Sequence, residues 1–379
     1  VIETNGNAQL TLSASYLVGC DGAHSSVRKA AAITQTIDAH DRLMALLVFR
    51  SQQLNEKLSI YGEKAIFNAI NPDFNGYWQF LGRVDLDCNW FFHAPVPKGT
   101  TRENFNFQTL LEKAVGAPID IEFDYVGFWD LRISLANTYG MGRVFIAGDA
   151  AHSHPPYGGY GINTGFEDAR NLAWKLSACL NGWGGPRLLD SYSAERRAVF
   201  ASTRDDFIAR SIINDRHFTE TFDPRSDLAA FEDAWAQRAT DDDSMVTQYL
   251  PHYAGSPIIC GEPGAVSGAK GQHTVTAQAG HHLSPAPMPD GADLWHELGA
   301  GFTLMNLVGD AGLANAFTSA ARQRGIPLKT LNLESAKLMD LYGAEAILVR
   351  PDHFVAWTGS AARADAIKIL DRATGQFGL

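Results

Sequence analysis

The run from Gly142 to Leu176 constrains this chain more than any other segment. Val144–Ala147 is an apolar stretch of strand length that stops at Gly148-Asp149. Gly148 lacks a Cβ, so a ligand can approach the backbone closely there. Asp149 follows with a carboxylate, a natural acceptor for a ribose hydroxyl. Pro155-Pro156-Tyr157-Gly158-Gly159-Tyr160-Gly161-Ile162-Asn163 then leads into a long helix. Unpaired N–H groups and the positive end of the dipole at that helix start suit an anion, or a ring that gains negative charge. Phe166, Ala169, Leu172, Ala173, Leu176 and Leu180 recur at helical spacing and are expected to form its buried stripe. Thr164 and Glu167 fit a capping box, and Gly182 fits a stop.

A second strand-to-turn signal lies near the start. Tyr16–Cys20 is apolar and ends at Asp21-Gly22, and a short helix is expected from Ser25 to Ala32. From Leu43 to Ile133, strand-like apolar runs alternate with Asn, Pro, Gly and Asp, which predicts an antiparallel sheet domain with one helix near Phe105–Val115. Another long helix is expected from Ser191 to Arg216. The stretch from Phe222 to Gly291 reads as irregular, with an acidic patch at Asp241–Asp243 and a proline-rich linker at Ser284–Asp290. Strands at Phe302–Val308, Leu328–Leu331, Ala346–Val349 and Phe354–Trp357 then alternate with helices at Gly312–Arg324, Ser335–Leu341 and Ala361–Arg372, as in a small α/β domain.

Composition narrows the function. A net charge of −11 argues against nucleic acid as a partner, because phosphate binding needs a basic surface. The 4 cysteines are widely spaced and show no CxxC, which fits a reducing cytoplasm better than a disulfide framework or a zinc site. The sequence shows no apolar run of membrane-spanning length and no signal peptide at Val1. His152 and His154 form an HxH pair without a further ligand in view, so no metal is expected. His281-His282 reads as solvated loop. Trp78, Phe80, Trp90, Phe91, Phe92 and Trp129 could floor an aromatic pocket, with core packing as the competing role.

The Gly142–Leu176 segment closely resembles the GD motif and following helix of class A flavoprotein monooxygenases, the FAD-dependent aromatic hydroxylases of the para-hydroxybenzoate hydroxylase fold. Cys20–Arg28, with the spacing DGxxSxVR, resembles that family's DG motif. The segment Leu188–Arg197 is similar to its next helix, although Ala198 replaces a common proline. Leu348–Trp357 is similar to the last strands of the C-terminal thioredoxin-like domain in the branch of phenol hydroxylase, 3-(3-hydroxyphenyl)propionate hydroxylase and polyketide hydroxylases. His353 stands there where glycine is frequent.

The resemblance implies an α/β chain. An incomplete FAD-binding Rossmann-like domain (residues 1–40 and 136–215) would accompany an antiparallel-sheet substrate domain (41–135), a connecting region (216–291) and a thioredoxin-like domain (292–379). It implies FAD contacts at Asp21, Gly22, Ser25, Arg28, Gly148, Asp149, Pro155, Gly158, Gly161, Ile162 and Asn163. Tyr160 departs from the glutamine common in the family. Trp78, Phe91, His93, Pro155 and Tyr157 are candidates for the substrate pocket, and His93 and Tyr157 for the phenol's base. The implied activity is NADPH- or NADH-dependent hydroxylation of a phenolic or polycyclic aromatic substrate with O2, through a C4a-hydroperoxyflavin.

The family's GxGxxG loop should precede the DG motif, and none occurs there. A preceding segment or companion chain carrying it is therefore expected, and a homodimer is among the assemblies the resemblance allows. Two rival readings are a flavin reductase or dehydrogenase that inserts no oxygen, and a non-catalytic binding or dimerisation module. No cysteine follows Cys260, so the C-terminal domain is expected to be inert in thiol exchange and to act by packing, with Phe354 and Trp357 as anchors.

Overall fold

The computed structural model describes residues 2–3, 9–71, 74, 79–155, 157–288, 291–360 and 365–377. The chain divides into two compact units, Val1–Thr36 with Ser134–Asp206 and Met245–Leu379, and Ile37–Ile133 with Phe207–Ser244.

In the first unit, strand Leu17–Gly19 runs parallel to Val144–Ile146, which pairs on its other edge with Gly140–Met141. The two strands expected to end in DG and GD turns are therefore neighbours. Ala147 N–H donates to Gly19 O (3.0 Å), carrying the pairing up to both turns. Tyr139, Phe145, Ile146, Tyr192 and Phe200 pack beneath them.

The same unit holds a sheet in the order Leu328–Asn332, Phe302–Asn306, Ala346–Val349, Val355–Gly359. Its first pair is parallel and the other two pairs are antiparallel, the arrangement of a thioredoxin-like sheet. Phe302–Asn306 and Ala346–Val349 are buried along their whole length, as central strands covered on both faces must be. Asp310 caps helix Ala311–Arg324 by accepting from Gly312 and Leu313 N–H, and Gly325 ends it in the left-handed region at φ 67°. Trp174, Trp183, Phe302, Leu304, Phe317 and Trp357 share one core, so this sheet and helix Tyr160–Leu180 are packed as one body. Phe354 stacks on Tyr253, with ring centroids 4.1 Å apart.

The second unit is built on strands Glu122–Ala136, Gln35–Arg50, Asn89–Pro97, Gln79–Arg83 and Ile66–Ala69, side by side in that order. Along Asn89–Pro97 burial alternates strictly. Trp90, Phe92, Ala94 and Val96 face a core that Leu54, Phe107 and Leu111 complete from helices Gln52–Leu58 and Phe107–Val115. Ser51 and Asn106 cap those helices by accepting from Leu54 and Thr109 N–H.

Several expectations need correction. Helix Tyr160–Leu180 begins earlier than the capping box predicted, and Thr164 Oγ1 instead donates back to Tyr160 O (2.8 Å) inside it. Its expected apolar stripe is largely turned outward: Phe166, Ala169, Ala173 and Leu180 are exposed, while Thr164, Asp168, Asn171 and Lys175 are buried. Buried polar and charged groups persist when paired: Asn171 Nδ2 donates to Glu195 Oε2 (2.6 Å), and the partners of Asp168 and Lys175 are described below. Helix Asp190–Ser202 continues through a π-helical stretch, Thr203–Ala209, into Arg210–Thr221. The stretch read as irregular holds helix Leu228–Gln248 and the strand pair Tyr249–His252 with Gly268–Lys270. His281 and His282 are half-buried rather than solvated. His281 stacks on His252 at 4.7 Å and His282 meets Phe354 edge-on at 5.2 Å.

Candidate active site

The DG turn is a self-contained knot. Asp21 Oδ1 accepts from Ser25 Oγ (2.5 Å), and Oδ2 accepts from the N–H groups of Ser26 (2.7 Å) and Val27 (3.1 Å). Burial works against the Asp21 charge, but together these donors outweigh it and hold the carboxyl below its ordinary value. Ser25 caps helix Ser26–Ala30 by accepting from Arg28 N–H (2.9 Å). Gly22 turns at φ 79°, a conformation that suits glycine. Arg28, 4% exposed, donates to Ala23 O (3.1 Å) and, across the pair of strands, to Ala150 O (2.7 Å). Arg28 thus ties the DG turn directly to the GD turn.

The GD turn is held from behind by a residue that the periodicity argument had put aside. Gly148 sits at φ 59°, and a Cβ added at Gly165 would lie 3.5 Å from its Cα, so turn and helix meet at their two glycines. Gly148 N–H donates to Asp168 Oδ2 (3.0 Å), and His152 Nε2 donates to the same oxygen (2.7 Å). Arg196 Nε donates to Asp168 Oδ1 (2.7 Å), while its Nη atoms reach Thr164 O (3.0 Å) and Tyr253 Oη (3.1 Å). Burial opposes the Asp168 charge, yet His152 and Arg196 outweigh burial and keep its carboxyl below the usual carboxylate range. His152 is therefore spoken for as part of this network, and its ring stacks on Phe200 at 4.1 Å.

This scaffold leaves Asp149 exposed, with no side-chain hydrogen bond to a described residue. Pro155 is buried, and Gly158 and Gly159 turn at φ 63° and 68° ahead of the helix. Among the described residues no side chain caps that helix start. Gly161 is half-buried, Ile162 is exposed, and exposed Asn163 donates through Nδ2 to Gly159 O (2.9 Å). His154 Nδ1 donates to Pro155 O (2.5 Å), which leaves the Nε2 lone pair buried, without a partner among the described residues and facing Gly161. A free carboxylate, two left-handed glycines and an uncapped helix start fit the hydroxyls and anionic edge of a flavin nucleotide. Asp149, Gly158, Gly161, Ile162 and Asn163 are thus brought together with Gly148, and Arg28 joins Asp21, Gly22 and Ser25 to them.

The aromatic candidates separate by strand face. Trp90 and Phe92 are core residues. Phe80, Phe91, His93 and Trp129 gather on the opposite, half-buried face: Phe80–Phe91 5.5 Å, Phe91–His93 5.7 Å, Phe80–His93 6.3 Å and His93–Trp129 6.2 Å between centroids. Trp78 and the Tyr157 side chain lie outside the described residues.

Residues 1–206 match the family described as FAD binding domain, and residues 276–377 match the aromatic-ring hydroxylase C-terminal family. The chain belongs to the FAD-binding aromatic-ring hydroxylases. It is 31% identical to 4-methyl-5-nitrocatechol 5-monooxygenase of Burkholderia sp, covering 95% of this chain and 69% of that one. It is 30% identical to tetracenomycin A2 monooxygenase-dioxygenase of Streptomyces glaucescens, covering 100% of this chain and 70% of that one. For another relative the chain spans 64% of that protein's length. Among solved structures, the rebeccamycin biosynthetic enzyme RebC with reduced flavin aligns at a TM-score of 0.76 and 28% identity, over 95% of this chain and 68% of that one.

Proposed function

We propose that the protein to which these residues belong is an NAD(P)H- and O2-dependent FAD monooxygenase that hydroxylates a phenolic or polycyclic aromatic substrate. The observation that carries this reading is the Gly148-Asp149 turn, locked to Asp168 behind it and to Arg28 beside it, with its carboxylate turned out next to an uncapped helix start. Relatives named as monooxygenases favour oxygen insertion over a plain reductase or a binding module.

When bound, the flavin supplies electron transfer from the nicotinamide and the activation of oxygen. The chain's own residues do the holding. Asp149 would accept from sugar hydroxyls, and the N–H groups of the first helical turn from Gly161 would stabilise negative charge that gathers on the ring. Asp21 builds the DG turn, and Arg28 keeps that turn in register with Ala150. Pro155, buried ahead of that helix start, provides an apolar wall that would exclude water from the reacting atoms.

The exposed side chains of Leu17 and Val18 on an edge strand, with Ile162 and Phe166 on the helix, form apolar surface of the kind further FAD-domain polypeptide would cover. A preceding segment or companion chain is the occupant proposed. Among the described residues no helix is long and apolar enough to cross a membrane, and free cysteines at Cys20, Cys88, Cys179 and Cys260 fit a cytoplasmic setting. The test is direct. The complete protein, supplied with FAD, NAD(P)H, labelled O2 and a panel of phenols, should transfer one labelled oxygen atom to a ring. Peroxide without labelled product would show a reductase instead.

A further inference from the structure

We infer that His93 donates a hydrogen bond through Nε2 to an oxygen of the aromatic substrate and favours its phenolate form, an inference that rests on the hydroxylase reading above. His93 lies on the half-buried face of strand Asn89–Pro97, opposite Leu46 on one neighbouring strand and Phe80 on the other. Three aromatic rings surround it: Phe91 edge-on at 5.7 Å, Phe80 at 6.3 Å and Trp129 at 6.2 Å. Phe91 is pressed against the strand because its partner is Gly82, where a Cβ would meet the ring at 2.3 Å. The surface around His93 is thus flat and apolar, suited to a planar arene.

The imidazole carries the only ring-nitrogen lone pair among these four side chains, the Trp129 indole N–H being a donor only, and none of the described residues satisfies the imidazole. Nδ1 is sealed from solvent without a partner, and Nε2 makes no hydrogen bond to a described residue either. Burial alone lowers the pKa of His93, and no charged group among the described residues contributes to that shift. The ring is therefore neutral near pH 7 and carries one proton. A buried N–H without an acceptor is rarer and more costly than a buried lone pair, so the proton belongs on Nε2 and the lone pair on the sealed Nδ1. A histidine in this tautomer donates at the accessible corner. It does not act there as a base, which revises the role that the sequence suggested for His93. A substrate oxygen at Nε2 is held by a donor that strengthens as the oxygen becomes anionic. The phenol's proton leaves to water and His93 keeps its own.

The experiment uses the complete FAD-loaded protein and 4-nitrocatechol, whose ionised form is coloured, and titrates the bound ligand spectroscopically against pH. Bound to the wild type, the phenol should ionise at lower pH than in solution, with the equilibrium displaced about tenfold. His93→Gln places an amide donor near the position of Nε2 and should keep most of the displacement. His93→Asn, whose donor falls near Nδ1, and His93→Phe should lose it, with thermal unfolding unchanged in the two amide variants. Loss in His93→Asn together with retention in His93→Gln is a pattern that a packing role does not produce. Failure of the wild type to bind the probe or to displace its ionisation, or an equal displacement in His93→Phe, overturns the inference. If labelled oxygen still enters phenols while His93→Phe titrates like the wild type, only the role of His93 falls. If the wild type displaces ionisation yet hydroxylates nothing, the hydroxylase reading falls instead.

Discussion

Arg350 closes a two-point ion pair on Glu195, with Nη1 2.7 Å from Oε1 and Nη2 3.0 Å from Oε2, across 155 residues of sequence. Both side chains are fully buried. Around them Lys175 Nζ donates to Glu195 Oε2 (2.7 Å), Ser256 Oγ donates to Oε1 (2.6 Å), and Asp352 accepts from Arg350 (2.9 Å at Nε) and from Trp174 Nε1 (3.0 Å). Two cations and two anions cancel inside a core. The ion cluster joins helix Tyr160–Leu180 and helix Asp190–Ser202 to the C-terminal sheet, from which Arg350 and Asp352 project. Burial works against the Glu195 charge, but Arg350 and Lys175 hold its carboxyl far below the usual range. Lys175, which shares its paired anion Glu195 with Arg350, is pushed down by burial to about 8.

Glu195→Gln should therefore destabilise the chain by about 3–5 kcal/mol, because two buried cations lose their shared anion. The pH dependence has a definite sign. Glu195 titrates lower in the folded chain than in the unfolded one, so its contribution is complete above the unfolded value near 4.5 and is lost as pH falls below it. Denaturant unfolding at neutral pH and near pH 4 should show a steeper acid loss in the wild type than in the variant. Equal slopes would remove Glu195 from the acid response.

Two aspartates near the GD turn should behave oppositely. Asp149 is exposed and bonds to no described residue, so Asp149→Ala should leave unfolding unchanged while weakening FAD retention in the complete protein by about 1–3 kcal/mol. Asp168 is fully buried and receives Gly148, His152 and Arg196, so Asp168→Ala should lose stability and FAD together. Calorimetric unfolding and equilibrium dialysis with FAD separate the two patterns. A stable Asp168→Ala chain with full FAD affinity would show that the turn holds its shape without that anchor.

Much of this was legible from spacing, and the part that was not has one physical cause. Strand–turn–helix signals at Asp21-Gly22 and Gly148-Asp149 located both turns, and the apolar run within Asn89–Pro97 read as a strand of an antiparallel sheet, though which of its faces is buried did not show in the sequence. Helix Tyr160–Leu180 carries two stripes at helical spacing, one apolar and one of Thr164, Asp168, Asn171 and Lys175. Periodicity favours burying the apolar stripe. The polar one is buried here because Arg196, Glu195 and Arg350 arrive from distant segments to neutralise it, and long-range pairing leaves no trace in a local window. The recurrence of three charged or amide residues at steps of three and four was the signal available. The Arg28–Ala150 bond was hidden for the same reason, since its acceptor is a backbone carbonyl 122 positions away.

Gly82→Ala should report on the aromatic face without touching His93. The new methyl would collide with the Phe91 ring, which must swing off the strand. Phenol binding by the complete protein should weaken severalfold, while helix Phe107–Val115 and the core face stay in place. Calorimetric titration with a phenol, beside a thermal melt, checks this. Unchanged phenol affinity would place the substrate away from Phe91.

The C-terminal sheet should prove inseparable from the GD helix, and not an appended domain. Cys260, the last cysteine, has its thiol pushed by burial up to about 11, so it is a poor thiolate and no disulfide chemistry is expected from residues beyond it. The contribution of this region is packing. Deleting the residues after Met288 would remove Phe302, Leu304, Phe317 and Trp357 from Trp174 and Trp183, and would leave Glu195 without its two-point pair to Arg350. Removing a single large core side chain costs about 3–5 kcal/mol, and a small domain's whole stability is about 5–15 kcal/mol. The truncated chain should therefore fail to unfold cooperatively at all, losing near-ultraviolet circular dichroism as well as FAD retention. Arg350→Met in the untruncated chain gives the finer measurement, since it keeps the fold's apolar contacts and removes one of the two cations facing Glu195, which is also the ion partner of Asp352. It should lower Tm by several degrees, with a larger deficit at neutral pH than near pH 4, because in acid the wild type loses part of the stability that Arg350 gives the ionised Glu195. A deficit independent of pH would mean that the ion pair is incidental and that the apolar core alone joins the two segments.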